Sequence, residues 1–357
     1  MNDVLAAWRD RIKEAASART PLRLVGGGTK DFYGQELVGE RFDTTTYAGV
    51  VDYDPTELVI TVRCGTPLAE VERTLAGGGQ MLGFEPPRFG DAATLGGCIA
   101  AGLAGPRRPY AGAIRDLVLG VRLLDGRGED LSFGGRVMKN VAGFDVSRVV
   151  AGSLGTLGIV LEASIKCLPL PKLEASRVLE VTIDQAIQRM NEWGGKPLPL
   201  TATCYCDGRL YARFAGAESA VAAALCQVGG SPLPEADAFW SSLREQRHPF
   251  FASRERDTPL WRLSVRPIAP FTDLGGAQLL EWGGALRWLK PYGEADAAGV
   301  RAWAQQQRGH ATLFRAADKS PGVFQRPPDP LMAIQRELKA AFDPQGIFNR
   351  HRMYIDF

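Results

Sequence analysis

Histidine is almost missing from this 357-residue chain: the only three, His248, His310 and His351, lie far apart, and none forms an H-x-x-H or H-E-H pair. A histidine-built metal centre is therefore not expected. The six cysteines (Cys64, Cys98, Cys167, Cys204, Cys206, Cys226) contain no C-x-x-C pair and no disulfide-framework spacing, so reduced cytoplasmic thiols are expected. Cys204 and Cys206 are expected to point to opposite sides of one strand, unable to share a metal and simply buried. Charge of one sign is lacking too. The 42 Lys/Arg and 40 Asp/Glu residues leave a net charge of +2, and no basic cluster is interleaved with aromatics, which argues against a nucleic-acid surface. No apolar run approaches the roughly 20 residues of a membrane span. Met1-Asn2-Asp3 carries neither a basic nor an apolar leader segment, so a signal peptide is not expected. Val4, Leu5, Trp8 and Ile12 instead share one helical face and predict an amphipathic helix docked on the body.

What the chain has is glycine, 41 residues unevenly placed, and enough length for two domains. Four segments are expected: an N-terminal helix (1–20), a glycine-rich sheet domain (21–171), an α+β domain (172–328), and a C-terminal helix and tail (329–357). In the first domain, strands are read at Leu22 to Val25, Val50 to Tyr53, Leu58 to Val62, Val118 to Leu124 and Ile159 to Leu168, with a helix from Pro67 to Leu75. Leu161, Ala163, Ile165 and Cys167 alternate with Glu162, Ser164 and Lys166, the period of a half-buried strand. Beyond Pro171 comes a strand (Val178 to Ile183), a helix (Asp184 to Trp193), a hairpin turning at Asp207-Gly208 and a helix (Ala217 to Gln227). A related order recurs from Trp261 to Arg315, predicting one antiparallel sheet backed by helices, as in a degenerate duplication. Asp329-Pro330 opens a last helix, which Asp343-Pro344 stops.

Three glycine loops carry the chemistry. Gly26-Gly27-Gly28 follows a strand directly, so consecutive backbone N–H groups can converge on an anion, with Thr29 and Lys30 adding a hydroxyl and a charge. A pyrophosphate is the obvious guest, although a lone glycine run is as often a plain turn. The G-x-G-x-x-G and G-x-x-x-x-G-K-[ST] patterns are both absent. The second loop runs from Gly83 through Pro86, Thr94, Gly96, Gly97 and Cys98 to Gly102, where small side chains let backbone lie against a planar or extended ligand. The third, Gly152 to Ile159 with Gly155 and Gly158, feeds the clearest strand.

The order and intervals of these loops resemble the FAD-binding domain of vanillyl-alcohol-oxidase-type (PCMH-type) flavoproteins over roughly positions 20 to 170. Phe342-Asp343-Pro344-Gln345-Gly346-Ile347-Phe348-Asn349 is similar to that family's C-terminal signature, with Arg350 standing where proline is usual. More narrowly, Ala101 to Tyr110, Val137 to Asp145 and Glu281-Trp282-Gly283-Gly284-Ala285-Leu286-Arg287-Trp288 resemble the smaller FAD-binding subunit of bacterial glycolate oxidase. The resemblance implies an α+β fold: a two-subdomain FAD domain followed by a cap with an antiparallel sheet, the tail returning to the FAD domain. It implies FAD held by Gly26, Gly27, Gly28, Thr29, Lys30, Pro86, Thr94, Gly96, Gly97, Cys98, Gly152, Gly155, Gly158 and Ile159. The first two loops would bind the pyrophosphate through backbone N–H groups, and Gly158-Ile159 would lie by the adenine. Family members that tether flavin use a histidine in the first loop. Thr29 and Lys30 occupy those positions here, so non-covalent FAD is expected.

The family's hydroxy-acid dehydrogenases use a histidine and carboxylate cluster that this chain lacks. The resemblance therefore implies a subunit of a glycolate-oxidising complex, working with a larger FAD-containing subunit and an iron–sulfur subunit. Its setting would be cytoplasmic, with membrane contact only peripheral and through the complex. Arg262, Arg287 and Trp282 are the weak catalytic candidates: the arginines (with Arg266) as clamps for a carboxylate, Trp282 (with Trp288) as packing for a flavin edge. Solvated strand faces and ordinary cap packing are the commoner roles for such residues. The rival readings are a stand-alone FAD-dependent 2-hydroxy-acid dehydrogenase and an assembly protein that has lost its flavin.

Overall fold

Short strands and glycine turns dominate the first half because its uninterrupted apolar runs are short. The computed structural model describes residues 2–135, 145–252, 258–293 and 296–356. The segment from Val137 to Phe144, part of one motif quoted above, lies outside the described residues. The chain forms two compact units: Met1–Leu103, Ala113–Leu170 and Arg326–Phe357 make the first, and Ala104–Gly112 and Pro171–Gln325 the second.

In the first unit, β1 (Leu22–Val25) and β2 (Glu40–Asp43) pair in parallel. A five-stranded antiparallel sheet joins β3 (Val50–Asp54), β4 (Val59–Arg63), β6 (Val118–Leu124), β7 (Asp130–Gly134) and β8 (Ile159–Lys166) in the order β3-β4-β8-β6-β7, while β5 (Gln80–Met81) pairs with β9 (Leu168–Pro169). The alternation read in β8 matches its central place: Ile159, Leu161, Ala163 and Ile165 are buried. Its one buried hydroxyl pair, Ser164 with Thr61 of β4 at 2.9 Å, satisfies itself. The N-terminal helix, Asn2–Ala18, buries Leu5, Ile12 and Ala15 against Leu22, Phe42, Leu124 and Leu161. Ile347 and Phe348 of the tail enter the same core. Both chain ends are thus held by burial of apolar side chains, each contributing about 1.5–3 kcal/mol.

The second unit is one eight-stranded antiparallel sheet. Its strands are β10 (Leu173–Glu180), β11 (Leu200–Cys206), β12 (Arg209–Gly216), β13 (Ser231–Pro232), β14 (Leu260–Ser264), β15 (Gly276–Glu281), β16 (Leu286–Pro291) and β17 (His310–Arg315). Their spatial order is β13-β10-β12-β11-β15-β16-β14-β17. Counted from each outer edge, both halves read fourth, first, third, second strand, so the duplication expected from the order of elements is present in the topology. The Asp207-Gly208 hairpin has φ of 49° and 76°, the left-handed pair of a type I′ turn. Thr182 and Gln185 form a capping box that starts the helix Ile183–Gly194. That helix and Glu218–Val228 cover one half of a sheet face, and Ala297–Gln306 packs against strands of the other half.

Candidate functional site

The first glycine loop leaves β1 and runs against the second. A Cβ on Gly27 would stand 1.5 Å from the Ala92 carbonyl oxygen, and one on Gly26 would stand 2.5 Å from Thr94 Oγ1. Only glycine permits this approach, and it sets two loops 65 residues apart side by side. The N–H groups of Gly27 and Gly28 donate to no protein acceptor among the described residues. Lys30 completes the junction, donating from Nζ to the Arg88 carbonyl at 3.2 Å with its charge over the Phe89 ring.

The second loop behaves differently from expectation. Thr94 caps the helix Leu95–Ala101 by accepting the Gly97 N–H at 3.2 Å, and the Gly96 N–H donates to the Cys64 carbonyl at 2.7 Å. Those two N–H groups are already engaged within the protein, whereas the N–H groups of Gly90, Asp91 and Ala92 earlier in the loop donate to no protein acceptor among the described residues. Gly96 and Gly97, expected to offer backbone donors, therefore line the cleft with their N–H groups already used. The third loop reaches the same place. Gly155 has φ of +71°, and a Cβ on Gly158 would meet the Leu124 carbonyl at 2.5 Å.

Together the loops wall an open cleft lined by Gly26, Gly27, Gly28, Thr29, Lys30, Thr94, Gly96, Gly97, Gly155, Gly158 and Ile159. Three residues named from sequence do not line it. Pro86 is buried; Cys98 lies inside its short helix, where burial pushes the thiol up to about 12; Gly152 packs against Gly102. Among the lining residues that were not named as site residues, Asn349 and Arg352 come from the C-terminal tail. Arg352 is buried and donates to the carbonyls of Asp31, Tyr33 and Gln35, so it holds the segment after Lys30 in place. Burial lowers its pKa to about 10. The sequence signal for Asn349 was the tail signature, which marks a region and no particular contact; Arg352 lies beyond it.

The cleft suits a pyrophosphate-bearing group on its own chemistry. It offers backbone donors without protein partners, a lysine, and two loops whose close apposition only glycine at 26 and 27 permits.

In the second unit, Trp282 is buried and donates its indole N–H to the Gly105 carbonyl at 3.0 Å. The Arg108 and Arg262 guanidinium groups lie 4.6 and 5.1 Å from its ring centroid. Arg287 is fully buried, donating to the carbonyls of Gly284, Pro270 and Ala269 beside Trp303. It thus holds the 269–284 backbone. Trp288 donates to Glu281 Oε2 at 2.8 Å inside the unit. Cys204 and Cys206 correct an expectation. Residues two apart on a strand share a face, and here the Cys204 thiol and the His248 ring both hydrogen-bond Cys206, pulling its thiol below the usual range. Nδ1 of His248 accepts the Phe250 N–H at 3.2 Å. Among the described residues no group of three or more His, Cys, Asp or Glu could hold a metal ion, and no helix is long and apolar enough to cross a membrane.

Comparison with known proteins adds the following. Residues 5–134 match a family model described as an FAD binding domain. The chain is 45% identical over 354 residues, 99% of its length and 98% of the relative's, to the glycolate oxidase subunit GlcE of Escherichia coli. Over 144 residues it is 32% identical to the glycolate oxidase subunit GlcD of Bacillus subtilis, and over 130 residues 34% identical to the mitochondrial D-lactate dehydrogenase [cytochrome] 1 of Saccharomyces cerevisiae. These two matches span 40% and 36% of the chain but only 30% and 22% of the relatives. Among solved structures, an alkyldihydroxyacetonephosphate synthase superposes with a TM-score of 0.63 at 17% identity, covering 96% of this chain and 73% of that one. At that identity the likeness shows the fold alone: a PCMH-type α+β fold.

Proposed function

We propose, because this chain belongs to the family of the glycolate oxidase subunit GlcE, that it is the FAD-holding subunit of a complex that oxidises glycolate to glyoxylate. The observation that carries the reading is the convergence of three glycine loops on one cleft in a chain matched to that relative from end to end. When bound, FAD supplies a two-electron acceptor, while the protein supplies binding, orientation and electrostatics.

In this reading the free N–H groups of Gly27 and Gly28, with Thr29 and Lys30, hold the pyrophosphate. Gly158 and Ile159 offer main chain to the adenine end, and Gly96 and Gly97, capped by Thr94, keep their part of the facing wall free of side chains. Nothing in the first loop forms a covalent bond to flavin. Acid precipitation of the purified chain is therefore expected to release all its yellow colour into the supernatant; colour left in the pellet would overturn non-covalent binding.

The partners in this reading are a larger flavin subunit and an iron–sulfur subunit, and the chain is cytoplasmic, touching a membrane only through them. The reason is chemical. Proton abstraction from a hydroxy acid needs a positioned base, and the three histidines lie scattered, with His248 engaged by Phe250 and Cys206. The isolated chain is expected to bind FAD yet fail to turn over glycolate with an artificial acceptor. Co-purification from its host is expected to bring both partners. Turnover by the lone chain would favour a second reading, a self-sufficient 2-hydroxy-acid dehydrogenase. One observation supports that alternative: Arg108 and Arg262 gather two positive charges on Trp282, where a substrate carboxylate would find them.

A further inference from the structure

We propose that Asn349 is a positioning residue for FAD, a single side-chain amide that sets the spacing between the first and third glycine loops. The proposal rests on the reading above, that the cleft of the first unit is the FAD site. The Oδ1 atom of Asn349 accepts the Leu24 N–H at 2.8 Å, and its Nδ2 donates to the Leu154 carbonyl at 2.7 Å. Leu24 lies two residues before Gly26; Leu154 immediately precedes Gly155. One planar amide therefore joins the strand that launches the first loop to the backbone of the third, across 130 residues of sequence, and all five of these residues line the cleft.

The backbone around Asn349 is built to hold the amide there. Its own N–H donates to the Leu22 carbonyl at 2.9 Å, while the Leu22 N–H donates to the Ile347 carbonyl at 2.7 Å, so the tail runs alongside β1 like an added strand. The residue is 7% exposed, and its φ is +40°. Left-handed backbone is disfavoured for residues with a Cβ, and asparagine tolerates it better than most. Across the gap, a Cβ on Gly155 would come within 2.8 Å of the Asn349 Nδ2. Glycine at 155 thus gives the amide its room.

These demands select one residue type. Aspartate would keep the acceptor for Leu24 but set a carboxylate oxygen against the Leu154 carbonyl. Glycine would keep the left-handed backbone but lose both side-chain bonds. Alanine would lose the bonds and add strain. The functional consequence follows from preorganisation: loops already held at the right spacing need not be ordered when the cofactor binds, so untying them weakens binding even though the amide need not touch the ligand.

The test uses the full-length chain and FAD titrations followed by quenching of flavin fluorescence, beside the melting temperature of the FAD-free protein. Asn349→Asp is expected to weaken FAD at least about fivefold and Asn349→Gly about thirtyfold, as loss of one and two hydrogen bonds of about 1 kcal/mol each implies. If Asn349→Asp does not fold, Asn349→Gly, which buries no charge, carries the test. A merely structural role predicts something else: a lower melting temperature of the FAD-free variant with an FAD dissociation constant within about twofold of the parent. That result would overturn the proposal. Failure of the parent chain itself to bind FAD would instead overturn the reading on which the proposal rests, and the two failures are told apart by the parent's titration alone.

Discussion

Gly27→Ala is expected to abolish FAD retention. The new methyl carbon would lie 1.5 Å from the Ala92 carbonyl oxygen, far inside van der Waals contact, and the obstacle is backbone, not a side chain that could rotate away. The first and second loops must part, which displaces the Gly27 and Gly28 N–H groups from the cleft and pulls Lys30 from the Arg88 carbonyl. Forced overpacking of this kind costs about 3 kcal/mol or more, so the melting temperature should fall as well. The measurement is the flavin-to-protein absorbance ratio after gel filtration. Gly77→Ala is the control: Gly77 lies in the helix Leu68–Gly77 with nothing near its missing Cβ, and it should retain flavin like the parent. A Gly27→Ala protein with full flavin content would sink the assignment of the cleft.

Asp343→Ala is expected to produce the largest loss of stability outside the glycine loops. The Asp343 carboxylate is buried and accepts the Lys339 ammonium at 2.6 Å together with the N–H groups of Ile347 at 3.0 Å and Phe348 at 2.8 Å. Lys339 in turn donates to the carbonyls of Thr156 and Phe348, so this pair pins the tail to the third glycine loop. Removing the carboxylate leaves a buried ammonium without its counter-ion and two N–H groups without an acceptor, at a cost of about 3–5 kcal/mol. Urea unfolding at neutral pH reads this directly. Lys339→Met in the Asp343→Ala background should recover part of the loss, because the unpaired charge is gone.

The pH dependence has a defined sign. Burial already lowers the Lys339 pKa from its ordinary value, against the opposing pull of Asp343. Without Asp343 the folded-state value falls further, and between it and the unfolded value the unfolded chain binds more protons. The Asp343→Ala protein should therefore gain stability as pH rises through that window toward the unfolded lysine value of about 10.4. A deficit that stays constant to alkaline pH would mean that the lysine charge is not its source.

Where side chains alternate cleanly, the elements could be read. Val118 to Leu124 emerges as the strand β6 with the expected bounds, and β8 begins at the expected Ile159. β10 was misplaced, expected at Val178 to Ile183 and found at Leu173–Glu180. The reason is Glu174. It reads as a solvent-facing charge but accepts Arg107 at 2.6 Å, with Arg213 3.7 Å away, so a carboxylate sits where pattern analysis looks for an apolar residue. β2, at Glu40–Asp43, was not read at all, because Phe42 is its one buried residue.

The glycine loops that signalled the site were legible for a local reason: glycine's permissiveness is written at the position that needs it, and three such runs in order mark a family. Sequence alone thus determined the fold class and the cofactor, and it marked the first loop as the place to look for the contact. The tertiary structure decided what the loops do to one another. It showed that Gly27 is required by the Ala92 carbonyl, that the Gly96 and Gly97 N–H groups are already engaged, and that the tail reaches back to tie the first loop to the third through Asn349. Those contacts join residues tens to hundreds of positions apart, and no periodicity in a chain encodes which distant carbonyl a given amide will meet.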